Sequence, residues 1–330
     1  MSLLSIGNDN MKIKIAYSNS KNFNGIKAYS LNLYDDLKKE INVKLKPVPK
    51  IEISIHKKRI GGWTSQRLLA WTVGKADIVH STSHWDITPH TNVVTIHDLY
   101  PLVESEYFKT SQRAKRFYLK TLDNVQKKAK YIIVEGPHIA EQVNKYITGI
   151  PIAIVPIKIF VKPALSNPYP SNGKLHLVTM GEIHGDLPNR KQIYDIYDWI
   201  KGLSDVELYH IGRITDNRYI GYSANIHQLG AVSQQEKFNY LQYADKFVFK
   251  TIGEGQELPT MEAMRLNTQV VINDLPEHRY FLGDKPYYYH NKDEFLEMIW
   301  KPKKSGLVDQ IRQYDNWIEK FLYVYNEVVE

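Results

Sequence analysis

The chain is interrupted near its middle by a stretch that cannot be core, and the same pattern stands on both sides of it. Residues 161–173 read Val-Lys-Pro-Ala-Leu-Ser-Asn-Pro-Tyr-Pro-Ser-Asn-Gly. Three prolines and little apolar content make this a linker. Before it, Met11 opens an alternating strand pattern, and short apolar runs follow at 51–55, 76–80, 93–96, 131–134 and 152–155. Helical patterns at 26–39, 110–129 and 139–146 separate several of them. After it, strand patterns at 175–179, 207–211, 247–249 and 269–272 alternate with helical ones at 191–201, 233–243, 259–266 and 292–300. Strands alternating with helices build parallel sheets covered on both faces. The expected architecture is therefore two α/β domains, over 11–165 and 174–304. Leu307, Ile311, Tyr314, Ile318, Phe321, Tyr325 and Val328 then recur at steps of three and four. They predict one long amphipathic helix that must bury its stripe on something already folded.

Met11 is read as the natural start, with the first ten residues an extension. No apolar run approaches the roughly 18 residues that cross a bilayer, and no charged-then-apolar signal opens the chain. The expected compartment is the cytoplasm. There are no cysteines, which excludes disulfides, thiolate metal sites and cysteine nucleophiles. The net charge of +7 is unevenly placed: residues 1–165 hold 25 Lys and Arg against 13 Asp and Glu, a net of +12. The remainder holds 18 against 23, a net of −5. Either the basic half meets something anionic, such as a membrane surface, a phosphorylated acceptor or nucleic acid, or it is a solvated lysine-rich surface. The helix over 110–129 carries Arg113, Lys115, Arg116, Lys120, Lys127 and Lys128, and Lys57, Lys58 and Arg59 precede Gly61-Gly62-Trp63. A basic amphipathic face of this kind suits peripheral binding to a membrane surface. No nucleic-acid motif is present.

The densest chemistry lies at Glu254-Gly255-Gln256-Glu257-Leu258-Pro259-Thr260-Met261-Glu262-Ala263. Pro259 suits the first turn of a helix, where its missing N–H is no loss. Gly255 permits backbone to approach a ligand closely. A helix N-terminus presents free N–H groups and partial positive charge, which favours a diphosphate. Glu254 in the loop and Glu262 in the first turn could then accept hydrogen bonds from different parts of one extended ligand. Read without that ligand, the stretch is a helix start decorated with acids.

This stretch resembles the Glu-x7-Glu motif of the retaining GT-B glycosyltransferases of family 4 (glycosyl transferases group 1), with Glu254 and Glu262 at its two glutamate positions. Val232–Phe249 is similar to that family's helix followed by an Ala-Asp strand, and Val270–His278 to its next strand and loop. Val94-Thr95-Ile96-His97-Asp98-Leu99 matches a strand ending in His-Asp. Asn24-Gly25-Ile26 resembles the first glycine loop, and Met180-Gly181 with Arg190-Lys191 the strand and basic pair that grip a donor diphosphate. The order of motifs is the family's from about residue 12 to about residue 300.

The resemblance implies a GT-B fold, two Rossmann-like domains facing across a cleft, with the last helix (305–330) crossing back onto the N-terminal acceptor domain. It implies sugar transfer from a nucleotide diphosphate sugar to a hydroxyl on a glycan, lipid or protein-linked acceptor, with anomeric configuration retained. Gly25, Gly181, Arg190, Lys191, Glu254, Gly255, Gln256, Glu257, Leu258 and Glu262 would bind the donor. His97, Glu254 and Lys191 would act at the reaction centre, Glu254 on the sugar and Glu262 on the ribose. Read from its own surroundings, His97 is a buried histidine bonded to a carbonyl. No cofactor is implied, because the donor is a co-substrate. Asp-x-Asp occurs nowhere, so a metal-independent enzyme is expected, and no His-x3-His falls on a clear helix among His80, His84, His90 and His97. Two positions depart from the motif: Glu257 replaces its second glycine, and Glu182 stands where an arginine usually follows the strand glycine. They leave a non-catalytic sugar-nucleotide binder as one alternative. A transferase acting on nucleic acid is the other.

Overall fold

The computed structural model describes residues 11–18, 25–48, 53–55, 58–60, 70–185 and 189–330. The chain divides into two compact units. One takes the chain through Glu106, Thr110–Ile157 and Asn316–Glu330; the other takes Tyr107–Lys109 and Lys158–Asp315.

In the first unit, strands β1 (Ile13–Ser18), β2 (Val43–Val48), β5 (Ile78–Ser81), β6 (Val93–Thr95), β7 (Tyr131–Val134) and β8 (Ile152–Ile154) form a sheet in the order β2-β1-β5-β6-β7-β8. All its pairings are parallel. Helices α1 (Gly25–Leu37), α2 (Tyr100–Val103), α3 (Gln112–Lys128) and α4 (Pro137–Asn144) connect them, with a 3-10 turn at Ala70–Val73. Strands β3 (Ile53–Ile55) and β4 (Lys58–Ile60) pair antiparallel with each other and stay out of the large sheet. The strand expected at 51–55 is therefore not the neighbour of β1. That place belongs to β2, whose Val-Lys-Leu-Lys-Pro-Val reads as loop because it contains Pro47. An edge strand tolerates proline, since its outward N–H needs no partner.

In the second unit, β9 (Leu175–Met180), β10 (Val206–Ile211), β11 (Ile226–Gly230), β12 (Lys246–Phe249), β13 (Gln269–Asn273) and β14 (Tyr287–Tyr289) run in the order β11-β10-β9-β12-β13-β14. Again every pairing is parallel. Helices α5 (Ile193–Ile200), α6 (Gln234–Tyr243), α7 (Leu258–Arg265), α8 (Pro276–Leu282), α9 (Lys292–Met298) and α10 (Leu307–Arg312) cover it. Successive residues of the central strands face opposite cores. Val178, Phe247, Phe249, Val270 and Ile272 pack with Met261, Met264, Phe281, Leu307 and Ile311. Leu177, Val248 and Val271 pack with Ile193, Ile196, Tyr197, Ile200, Phe295 and Ile299. Burial on both faces is why these strands read as unbroken apolar runs. The order is that of a doubly wound dinucleotide-binding sheet, with its reversal between β9 and β12.

Two expectations need correcting. The single terminal helix is two: α10, and α11 (Trp317–Val329). Leu307, Ile311 and Tyr314 pack in the second unit, whereas Trp317, Phe321, Val324, Tyr325 and Val328 are buried in the first. One continuous stripe cannot serve two cores, so the helix breaks where the chain changes unit, at Asn316. Trp317, not Ile318, is the buried anchor. Its indole N–H donates to Asp36 (3.0 Å), and Tyr325 pairs with His80 (2.8 Å). Burying one large apolar side chain is worth about 1.5–3 kcal/mol, so this helix is a substantial part of the first unit's stability.

The proline-rich stretch is likewise not a free linker. Ala164 and Leu165 donate backbone N–H groups to Gln242 and Asn239 on α6, and Tyr169 is buried with its hydroxyl on the Tyr240 carbonyl. The stretch is strapped to the second unit, and the boundary falls at Ile157–Lys158. Among the described residues no helix is long and apolar enough to cross a membrane.

Candidate functional site

The reversal of strand order in the second unit places two segments side by side: one after β9, with Gly181 and Arg190 to Gln192, and one after β12, with Lys250 to Glu257. Open α/β sheets bind ligands in this crevice. A short antiparallel ladder joins the loops, with Gln192 N–H to Lys250 O at 2.9 Å and Ile252 N–H to Arg190 O at 3.1 Å. The Thr251 hydroxyl adds a bond to the Arg190 carbonyl. The ladder keeps Lys191 extended, two residues ahead of α5. It does not begin the helix, as the sequence pattern implied.

Gly181 makes this placement feasible. Its φ is +155°, and a Cβ there would meet Ile193 Cδ1 at 2.7 Å and Lys191 Cδ at 2.8 Å. The lysine stem lies directly over the strand end and carries its ammonium 4.9 Å from the Phe249 ring. Arg190 and Lys191 then reach Glu254: Arg190 Nη2 to Glu254 Oε2 is 2.9 Å, and Lys191 Nζ to Glu254 Oε1 is 3.9 Å. Lys191 also lies 3.7 Å from Glu257 Oε1. Helix α7 begins at Leu258 with Glu257 at its N-cap position, but Glu257 makes no side-chain cap bond. Pro259 falls within the first two helical positions. Gly255 is buried in the loop between them.

Glu257 is the most perturbed acid of the site. Burial pushes its carboxyl up to about 8; Lys191 opposes this and Glu254 reinforces it. It is held toward the neutral form, where a charged carboxylate would otherwise stand at the positive end of α7. Glu262 lies in the second turn of α7, not the first, because the helix starts at Leu258. Its carboxylate pairs with Lys237 of α6 at 2.7 Å, yet burial still keeps its pKa above the usual range. Gln256 turns its amide toward Met261 Sδ, and Leu258 packs on the core.

Four further groups stand here that no sequence motif marks. Lys237 is one, legible only as a surface lysine of a helix. Thr260, in the first turn of α7, is fully buried and its hydroxyl has no hydrogen-bond partner. His278 at the start of α8 donates Nδ1–H to the Asn273 carbonyl at 2.8 Å, while its buried Nε2 has no partner. Burial lowers its pKa against the pull of nearby carboxylates, among them Glu254. It is thus a neutral imidazole with an open acceptor. Arg213, after β10, is the fourth. Glu182 does remove an arginine from the end of β9, but it binds Arg213 from the neighbouring strand (3.0 Å), so a guanidinium still stands at that edge.

In the first unit, His97 follows β6 and is engaged at both nitrogens. Nδ1 meets Glu135 Oε1 at 2.5 Å and Nε2 meets the Thr82 carbonyl at 2.8 Å. Burial disfavours its charged form, but Glu135 and the Thr82 carbonyl outweigh this and raise its pKa. Two acceptors facing two ring nitrogens describe an imidazolium fixed in place. The same ring packs edge-on against Tyr29 at 4.9 Å. Gly25 is the first residue of α1, with open space where a Cβ would point. The loop before it lies outside the described residues. So do Lys57 and Gly61-Gly62-Trp63. His80 is bonded to Tyr325 and Thr95, and among the described residues no group of three or more ligands could hold a metal ion.

No protein-family model matches the chain. It is similar to the O-antigen chain mannosyltransferase RfbU of Salmonella typhimurium, with 21% identity over 269 residues, 78% of this chain and 73% of that protein. Its fold is similar to that of WaaG, a glycosyltransferase involved in lipopolysaccharide biosynthesis, with a TM-score of 0.67 at 13% identity covering 95% of each chain. It is also similar to the pneumococcal O-GlcNAc transferase GtfA, solved with UDP and GlcNAc, with a TM-score of 0.58 at 15% identity over 84% of this chain and 63% of that one. The fold is that of the GT-B glycosyltransferases.

Proposed function

We propose that this chain is a glycosyltransferase that moves a sugar from a nucleotide diphosphate sugar to a hydroxyl acceptor with retention of configuration. The observation that carries this reading is the convergence of Arg190, Lys191 and the start of α7 at the point where the strand order reverses. Two cations and a helix N-terminus are the equipment for a departing diphosphate. The similarity to RfbU and WaaG, and the UDP bound in GtfA, support the same chemistry. Glu254 positions the sugar, His278 Nε2 accepts from one of its hydroxyls, Glu262 with Lys237 takes the ribose, and Lys191, Arg190 and Thr260 take the phosphates. Attack on the same face that the leaving phosphate vacates follows from the family resemblance alone. His97 serves as a fixed positive charge, since both its nitrogens are engaged and proton transfer would break one of its bonds.

Activity is expected without added divalent metal and in excess EDTA. The deciding experiment incubates the protein with UDP-, GDP- and ADP-sugars and an acceptor mixture and reads the anomeric configuration of the product by NMR. A retained configuration supports the proposal, and an inverted one overturns it. One observation favours a second reading, a sugar-nucleotide binder without turnover: Glu257 stands 3.7 Å from Lys191, where diphosphate would bind, and competes for it when ionised. Tight donor binding with neither transfer nor donor hydrolysis would select it.

A further inference from the structure

The first unit has a cavity of about 180 Å³ between the loop that leaves β5 and α3, lined by His84, Trp85, Ile87, Phe117, Asn124 and Lys128 among others. We infer that this cavity seats one neutral pyranose ring, a unit of a saccharide chain, on His84 and Trp85.

His84 is the reason. It is only 4% exposed, and neither of its ring nitrogens has a hydrogen-bond partner. Burial drives its pKa down to about 3, with Asp98 opposing and His97 adding to the effect. The ring is therefore neutral in use and offers one donor and one acceptor, both unpaid by the protein. Buried polar groups left in this state are rare and call for an explanation. A sugar hydroxyl both donates and accepts, so a hydroxyl of the ring can complete either nitrogen, whichever way its proton lies.

The surroundings select against other ligands. Trp85 lies 4.4 Å from the His84 ring, Tyr118 meets Trp85 edge-on at 4.6 Å, and Phe117 lies parallel to it at 5.7 Å. These are apolar faces for C–H groups. An acyl chain would use the faces but leave both imidazole nitrogens unpaired. An anion would find one lining cation, Lys128, which is exposed with its ammonium 3.4 Å from the Pro89 carbonyl. The size suits a six-membered ring, since a cavity of about 150 Å³ holds benzene.

As a seat for part of the acceptor, this site rests on the transferase reading, but saccharide binding can be measured without turnover, so the two can fail separately. The full chain is titrated with methyl α-D-mannopyranoside and methyl α-D-glucopyranoside, followed by saturation-transfer NMR and by the ring C–H resonances of His84. At least one glycoside should bind in the millimolar range and shift those resonances. His84→Phe keeps a ring but removes both nitrogens, and should weaken binding about tenfold or more. Trp85→Ala should weaken it comparably, and neither variant should alter nucleoside diphosphate binding. The inference is overturned by no glycoside binding at 100-millimolar-scale concentrations (roughly two decades above the expected range), by unchanged affinity in folded His84→Phe, or by octanoate displacing the glycoside and binding more tightly.

Discussion

The ammonium of Lys191 lies 3.7 Å from the carboxylate of Glu257, and Glu257 occupies the N-cap position of α7. The cation best placed for a donor phosphate is thus shared with an acid at the positive end of the helix the phosphate would face. This arrangement is tolerable because Glu257 is buried and held toward its protonated form. A bound diphosphate and an ionised Glu257 would compete for one lysine and repel one another.

Donor binding should therefore depend on pH through Glu257. Below about 8 the acid is largely neutral and Lys191 is available; above it the ionised carboxylate opposes the phosphates. Affinity for nucleoside diphosphate should fall as pH rises from 7 to 9 in the natural protein and stay flat in Glu257→Gln. Stability follows the same sign. The folded state binds a proton that the unfolded chain, titrating near 4.5, has released. Stability associated with that proton is full below pH 4.5 and lost as pH rises through about 8, so Glu257→Gln should gain in relative melting temperature toward pH 9. Parallel pH profiles for both proteins would remove Glu257 from the account.

Gly181 should resist substitution. In Gly181→Ala the new methyl meets Ile193 and Lys191 inside ordinary contact distance. Forced repacking of this kind costs about 1–3 kcal/mol, and the lysine is displaced as it occurs. The variant should lose both melting temperature and diphosphate affinity. Gly212→Ala should be worse, because its Cβ would fall 1.8 Å from the Gly181 carbonyl oxygen. Diphosphate binding at the natural level in Gly181→Ala would show that the lysine does not need this seat.

The His97–Glu135 pair should show in stability. The folded pKa of His97 is raised, so its contribution is full below the unfolded value of about 6.5 and is lost as pH rises through the folded value. The melting-temperature deficit of Glu135→Gln should be largest near pH 6 and shrink toward pH 9. His97→Ala should lose both stability and turnover, with turnover down roughly 10²-fold, the scale for losing one fixed electrostatic contact to developing charge. A pH-independent deficit in Glu135→Gln would mean that the pair is not an ion pair.

The alternation on either side of residues 161–173 was enough to read two parallel α/β units, because burial on both faces writes itself into each strand as an apolar run. That Glu254 meets Arg190 and Lys191 was legible because the resemblance puts two separate motifs around one ligand. What failed to show has physical causes. Val43–Val48 hides a strand behind Pro47, which an edge can afford. The terminal stripe keeps its period across the break at Asn316, since each half satisfies a different core. Lys237, Thr260 and His278 are ordinary residues in sequence, and only tertiary packing pairs Lys237 with Glu262 and leaves the buried Thr260 hydroxyl and His278 Nε2 without partners. Glu257 looked like a lost glycine; its raised pKa is a property of burial that no local pattern carries.

In the proposed reaction Lys191, Glu262 and Glu254 meet on one donor, at phosphate, ribose and sugar respectively. Calorimetry on three variants, with a free nucleoside diphosphate and with the intact sugar nucleotide, tests it directly. Losing one hydrogen bond to a charged group costs about 1.5–3 kcal/mol, or roughly 10- to 150-fold. Lys191→Ala and Glu262→Gln should weaken both ligands by that order. Glu254→Gln should spare the free diphosphate, since it also releases Arg190, and should weaken only the sugar nucleotide. If Glu254→Gln loses the free diphosphate as badly as Lys191→Ala does, the assignment of these three residues to one donor is contradicted.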